Sequence, residues 1–79
     1  MKNDVVINIL AEITQVNSER IYNHLSLKDD LLLDSMGVIT LIVELEAQLN
    51  ISIQDNDITE DNFATVLSLK NYLQHKLEN

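Results

Sequence analysis

LLLDSMGVITLIVELEAQL, residues 31–49, is the stretch that decides the fold. Taken alone, Val38 to Val43 reads two ways, because a β-branched run also suits a buried strand. The continuation Glu44-Leu45-Glu46-Ala47-Gln48-Leu49 resolves it, being built from strong helix formers. Met36, Ile39, Val43, Leu45 and Leu49 then sustain a helical repeat through the segment. A helix apolar around so much of its circumference is expected to be the most enclosed element. Asp34 or Ser35 caps its start, since a side-chain oxygen there accepts one of the orphan backbone N–H groups. Ser35 falls exposed on the first turn, and Asn50 is a suitable stop.

Working outward, Val5, Val6, Ile9, Leu10, Ile13 and Val16 form the stripe of an amphipathic helix over about residues 4–16. Asn8, Glu12 and Gln15 occupy its other face. Asn3 or Asp4 caps it, and Asn17 ends it in a left-handed conformation. Between Asn17 and Leu33 the pattern loosens: Ser18 to Ile21 suits one helical turn, Ile21, Leu25 and Leu27 are anchors, and Lys28-Asp29-Asp30 is a polar turn. A connection this long without structure of its own is often functional.

Beyond the central helix, Ile51-Ser52-Ile53 reads as an extended link with both isoleucines inward. Gln54 to Asn62 is acidic and holds one short helix capped by Asp57 or Thr59. Phe63 is a core plug. Thr65 caps a last helix whose Val66, Leu69, Leu73 and Leu77 repeat at helical spacing, with Tyr72 beside them. Lys70, His75 and Lys76 lie toward its C-terminus, where cations suit the dipole. The expectation is an all-α bundle of three main helices plus one short helix, in a single domain spanning 1–79.

Composition narrows the function classes. The 79 residues include no Pro, one Gly and no Cys, which disfavours a turn-rich β fold and removes disulfides, thiolate metal sites and a cysteine nucleophile. Any thioester this chain carries must use a thiol from elsewhere. Net charge is −8. No basic residue lies between Lys28 and Lys70, an interval that holds Asp29, Asp30, Asp34, Glu44, Glu46, Asp55, Asp57, Glu60 and Asp61. That field disfavours nucleic acid and anionic membranes and favours partners with basic faces. With no membrane-length apolar run and no signal pattern at Met1-Lys2-Asn3-Asp4, a cytoplasmic monomer is expected.

At Asp30-Leu31-Leu32-Leu33-Asp34-Ser35-Met36, opening the second main helix, the chain resembles the acyl carrier proteins. Asn62-Phe63-Ala64-Thr65-Val66, entering the last helix, resembles carrier domains as well. The resemblance implies a small four-helix fold with no catalysis of its own. It implies that Ser35 receives 4′-phosphopantetheine from coenzyme A through a Mg²⁺-dependent phosphopantetheinyl transferase, with Asp34 helping that enzyme engage. The arm's thiol then holds an acyl or aminoacyl thioester, delivered by an activating ligase and taken by a transferase or condensing enzyme. In the family the second helix presents acids to basic partners, which points to Glu44 and Glu46 here, with Met36 beside the serine as a further contact. Gly37 and Thr40 stand where fatty-acid-synthesis carriers usually have acids. Asp34-Ser35-Met36-Gly37 is closer to D-alanyl carriers, although a Trp-containing segment common in those is missing. Phe63-Ala64-Thr65 resembles aminoacyl and peptidyl carriers.

Three other readings compete. Asp55-Asn56-Asp57 with Glu60 and Asp61 offers oxygens for calcium, but the EF-hand spacing and its turn glycine are absent. A hydrolase built on Ser35 lacks the Gly-x-Ser-x-Gly elbow, and His24 and His75 read as surface residues. A cofactor-free acidic docking domain is the alternative from another class, and Ser35→Ala separates it from a carrier.

Overall fold

The computed structural model describes residues 4–78. Three α-helices form: α1 (Val5–Thr14), α2 (Ser35–Leu49) and α3 (Val66–Glu78), with 3₁₀ turns at Ser18–Arg20 and Asp55–Asp57. The expected all-α bundle is therefore present, its short fourth element reduced to the 3₁₀ turn Asp55–Asp57. Among the described residues, the only β feature is one antiparallel bridge between Ser26 and Thr65. No described helix is long and apolar enough to cross a membrane.

Each helix starts where a side chain can accept an orphan N–H. Asp4 Oδ1 accepts from the Ile7 N–H at 3.2 Å, while the alternative cap Asn3 lies outside the described residues. Asp34 Oδ1 accepts from the Gly37 N–H at 2.8 Å. Thr65 and Ser68 cap α3 reciprocally: the Ser68 N–H donates to Thr65 Oγ1 and the Thr65 N–H to Ser68 Oγ. At the other ends, Asn50 stops α2 in the left-handed region as expected (φ 55°). Gln15 rather than Asn17 stops α1 (φ 64°). The Thr14 hydroxyl donates back to the Leu10 carbonyl at 2.6 Å and accepts from the Val16 N–H, which closes that helix early. Asn17 instead caps the Ser18–Arg20 turn by accepting from the Glu19 N–H.

The core is aliphatic. Ile9 and Leu10 of α1, Leu41 and Leu45 of α2, Val66 and Leu69 of α3 and Leu27 of the first connection have essentially no exposed surface. Each contributes about 1.5–3 kcal/mol by burial. No polar or charged side chain is buried among the described residues. The first connection is fastened to the entry and first turn of α3 by backbone bonds: Leu27 N–H to Ala64 O and Val66 N–H to Leu25 O flank the bridge, and Leu67 N–H donates to Asn23 O, all at 3.0 Å.

Four expectations are corrected by the packing. α2 is not the most enclosed helix: Leu41 and Leu45 are buried, but Met36, Ile39 and Val43 are 68%, 53% and 55% exposed. Its two apolar faces point in different directions, and the core can take only one. The short element of the second connection starts at Asp55, so Asp57 ends it rather than capping it; Thr59 does cap a following turn, accepting from the Asn62 N–H. Phe63 is half-buried against the edge of the core, tilted onto Tyr72 at 6.0 Å between ring centroids. Leu77, on the last turn of α3, is 54% exposed rather than part of the buried stripe.

Candidate functional site

The loop that delivers the chain to Ser35 is held by its own polar groups. The Ser26 N–H donates to Asp30 Oδ2 at 2.7 Å, and the Ser26 carbonyl accepts from both Asp30 and Leu31 N–H groups at 3.0 Å. The Ser26 hydroxyl accepts from the Asp29 N–H. One residue later the Leu33 N–H donates to the Leu27 carbonyl at 2.9 Å. Leu31 and Leu33 are both buried, so the residue between them must turn outward. Leu32 does so with φ 57° and 78% exposure. A leucine in the left-handed region is strained by about 1–2 kcal/mol.

These constraints fix where α2 begins. Asp34 lies just outside the helix, extended, and its carboxylate takes the Gly37 N–H. Ser35 is the first helical residue and exposed, and no other described residue bonds its hydroxyl. The Ser35 and Met36 N–H groups precede the first intrahelical bond, so they too are free to meet an anion. Gly37 fits its place sterically: a Cβ there would sit 2.9 Å from Leu33 Cδ2 and 3.4 Å from Asp34 Oδ1. The space it leaves is used by those two side chains.

Ser35 opens onto a groove of about 440 Å³ between the first connection, the start of α2 and the second connection. Leu33, Val38, Ile58, Phe63 and Ala64 give it an apolar wall, and Lys28 is its one basic residue among those described. The outer wall is tethered through Asp57. The Tyr72 hydroxyl donates to Asp57 Oδ2 at 2.8 Å, Lys76 Nζ lies 3.5 Å away, and Asn62 Nδ2 donates to the Asp57 carbonyl. The Tyr72 hydrogen bond, followed by the Lys76 charge, holds the Asp57 carboxyl below the usual range. Burial and then the Asp57 carboxylate push the Tyr72 phenol up, so it remains a donor across the ordinary pH range.

The remaining sequence-derived candidates separate. Met36 is exposed beside Ser35. Glu44 accepts from Gln48 Nε2 on its own helix at 3.2 Å. Glu46 turns inward, and its Oε2 accepts from the Ile53 N–H at 2.8 Å, fastening the second connection to α2. Both histidines are exposed, with His24 stacked on Tyr22 at 5.8 Å. In the acidic segment, no cluster of metal-ligating side chains forms among the described residues. The groove and the outward Leu32 were missed in the sequence; Ile58 and Ala64 reach the groove only through the return of the second connection, which no local pattern announces.

This arrangement fits a phosphodiester-linked arm: an unencumbered primary hydroxyl, free N–H groups at a helix start, and an apolar groove beside them. The comparisons agree. The family described as "phosphopantetheine attachment site" matches residues 4–73. A D-alanyl carrier protein of Listeria innocua is 35% identical over 60 residues, covering 76% of this chain and 77% of that protein. An acyl carrier protein of Buchnera aphidicola is 34% identical over 68 residues, covering 86% and 84%. A holo acyl carrier protein from Nitrosomonas europaea superposes with a TM-score of 0.81 at 30% identity, covering 94% and 93%. One chain from the complex of Bradyrhizobium japonicum glycine:[carrier protein] ligase with its cognate carrier protein shares the fold, with a TM-score of 0.70 at 23% identity over 91% of this chain and 99% of that one. The chain belongs to the phosphopantetheine-attachment-site family and is a carrier protein that works through a covalently attached 4′-phosphopantetheine.

Proposed function

We propose that Ser35 is the attachment residue, with Asp34 positioning it for the transferase, and that the chain acts as one carrier domain in the cytoplasm. The observation that carries this reading is the exposed Ser35 hydroxyl, bonded by no other described residue, on the first turn of a helix whose cap is supplied by its neighbour. In the transfer, Ser35 Oγ loses its proton and bonds to the phosphorus that carries the pantetheine. The pyrophosphate bond of coenzyme A breaks and adenosine 3′,5′-bisphosphate leaves. The bound arm supplies a thiol, which this cysteine-free chain lacks, for thioester formation. The protein's own part is to hold the serine outward and offer the groove; the chemistry belongs to the transferase, the activating ligase and the acyl-using enzyme.

The cargo is an acyl or aminoacyl group. The likeness to D-alanyl carriers, together with the neutral Gly37 and Thr40, supports the aminoacyl class. Intact mass after incubation with coenzyme A, Mg²⁺ and a broad-specificity phosphopantetheinyl transferase tests the site. Wild type should gain one phosphopantetheine and Ser35→Ala none, with unchanged melting. Modification of Ser35→Ala would place the arm elsewhere. Holo protein offered to adenylating ligases with D-alanine, glycine or fatty acids then resolves the cargo.

A further inference from the structure

We propose that Lys28 anchors the root of the prosthetic arm: its ammonium pairs with the phosphodiester that the arm carries on Ser35 and holds it at the mouth of the groove. This rests on Ser35 being the attachment residue.

The backbone brings the two positions together before any side chain is placed. The Leu33 N–H donates to the Leu27 carbonyl at 2.9 Å. Lys28 follows that acceptor by one residue and Ser35 follows that donor by two, each step being about 3.8 Å between Cα atoms. The turn that carries Lys28 is fixed on both sides. The Leu27 N–H is held by the Ala64 carbonyl at 3.0 Å, and the Asp29 N–H by the Ser26 hydroxyl at 3.0 Å. Lys28 and Ser35 both line the groove. A lysine's flexible four-carbon stem spans the separation that remains.

The charge at Lys28 is a second, independent observation. No other described residue bonds its ammonium, although Asp29, Asp34 and Glu60 line the same groove. The other described lysines are committed: Lys70 lies 2.8 Å from the Asp4 carboxylate and Lys76 lies 3.5 Å from that of Asp57. Arg20 belongs to the Ser18–Arg20 turn and does not line the groove.

Attachment adds a phosphodiester, one negative charge across the ordinary pH range, to a rim that already holds three carboxylates. The start of α2 answers it with partial charge only. Lys28 is the one full positive charge lining the groove among the described residues. Lysine binds phosphate as a point charge, so the pair needs no fixed fork geometry. An exposed pair of this kind is weak and screened by salt. That suits an arm that has to leave for its partner enzymes, because the pair biases the arm's root without locking it.

The test compares apo and holo wild type by trace acetylation with acetic anhydride, the arm's thiol first blocked with N-ethylmaleimide, and reads each lysine by peptide mass spectrometry. Lys28 should label about two- to fivefold more slowly in the holo protein, the protection an exposed ion pair gives, with Lys70 and Lys76 unchanged. Added NaCl at ~0.5 M should remove most of that protection. Equal labelling of Lys28 in the two forms overturns the proposal. So does protection that the salt leaves intact, which would mean that the arm covers Lys28 by bulk rather than by charge. The ³¹P resonance of the phosphodiester is the second readout. It should move in holo Lys28→Gln, return toward wild type in Lys28→Arg and stay in place in Arg20→Gln, with melting curves confirming that each variant is folded. A resonance indifferent to Lys28→Gln overturns the pairing. Wild type that gains no mass with coenzyme A, Mg²⁺ and the transferase overturns the Ser35 reading itself, before either readout is reached.

Discussion

Replacing Leu32 by glycine should stabilise this protein, which is unusual for removing a leucine. Leu32 is held at φ 57° by neighbours whose N–H groups and side chains are both committed inward. Left-handed backbone strains an L-residue by about 1–2 kcal/mol. Glycine removes that strain but gives back about 0.5–1 kcal/mol through the greater freedom of its unfolded chain. Since Leu32 is 78% exposed, deleting its side chain forfeits only about 0.5 kcal/mol of burial. The balance is a gain of up to about 1 kcal/mol, or several degrees in Tm for a domain of this size. Leu32→Ala is the decisive partner, because it loses the same contacts and keeps the strain, and it should fall below wild type. Urea titration followed by helical circular dichroism measures both, with an unchanged m-value as the check that only native stability moved. Glycine no more stable than alanine would refute the strain argument.

Other perturbations test other parts of the structure. Leu41→Ala empties a fully buried site on α2 and should cost about 2–5 kcal/mol, a large share of the stability of a 79-residue chain; the same titration reads it. Asp57 has a folded-state pKa below its ordinary 3.8, so its contribution is complete above that value and is lost as pH falls through the lower, folded one. Asp57→Asn should therefore show a shallower fall in Tm than wild type between about pH 5 and 3; parallel curves would mean that Asp57 does not drive the acid response. With a net charge of −8, the wild-type Tm should rise by a few degrees as NaCl goes from ~0.01 to ~0.5 M, and a salt-indifferent Tm would count against self-repulsion as a destabilising force.

The helices were legible because each is signalled locally. Asp34 and Thr65 announce caps by residue type, and the Leu69–Leu73 spacing announces a buried stripe. What failed required knowing which of two apolar faces the core would take. Met36, Ile39 and Val43 satisfy helical periodicity as well as Leu41 and Leu45 do. Periodicity assigns residues to faces but does not say how many faces are covered, and a chain this short lacks the material to cover both sides of α2. The early stop at Gln15 was hidden for a different reason: a Thr14 hydroxyl bonding back to Leu10 competes with the more obvious Asn17. Glu46 was read as outward because acids usually are, while its bond to the Ile53 N–H spans seven residues of sequence.

The position of Ser35 is set before α2 begins. Asp30 and the Ser26 carbonyl fix Leu31, the Leu27 carbonyl fixes Leu33, and the strained Leu32 absorbs the mismatch between them. Asp34 then enters extended and caps the helix, so Ser35 emerges on the first turn with its hydroxyl bonded by no other described residue. The rigidity lies in backbone bonds of the preceding loop rather than in the serine's side chain. That division suits the proposed attachment: a hydroxyl bonded within the protein would have to be released before the arm is added, whereas one held out by its loop is ready for the transferase.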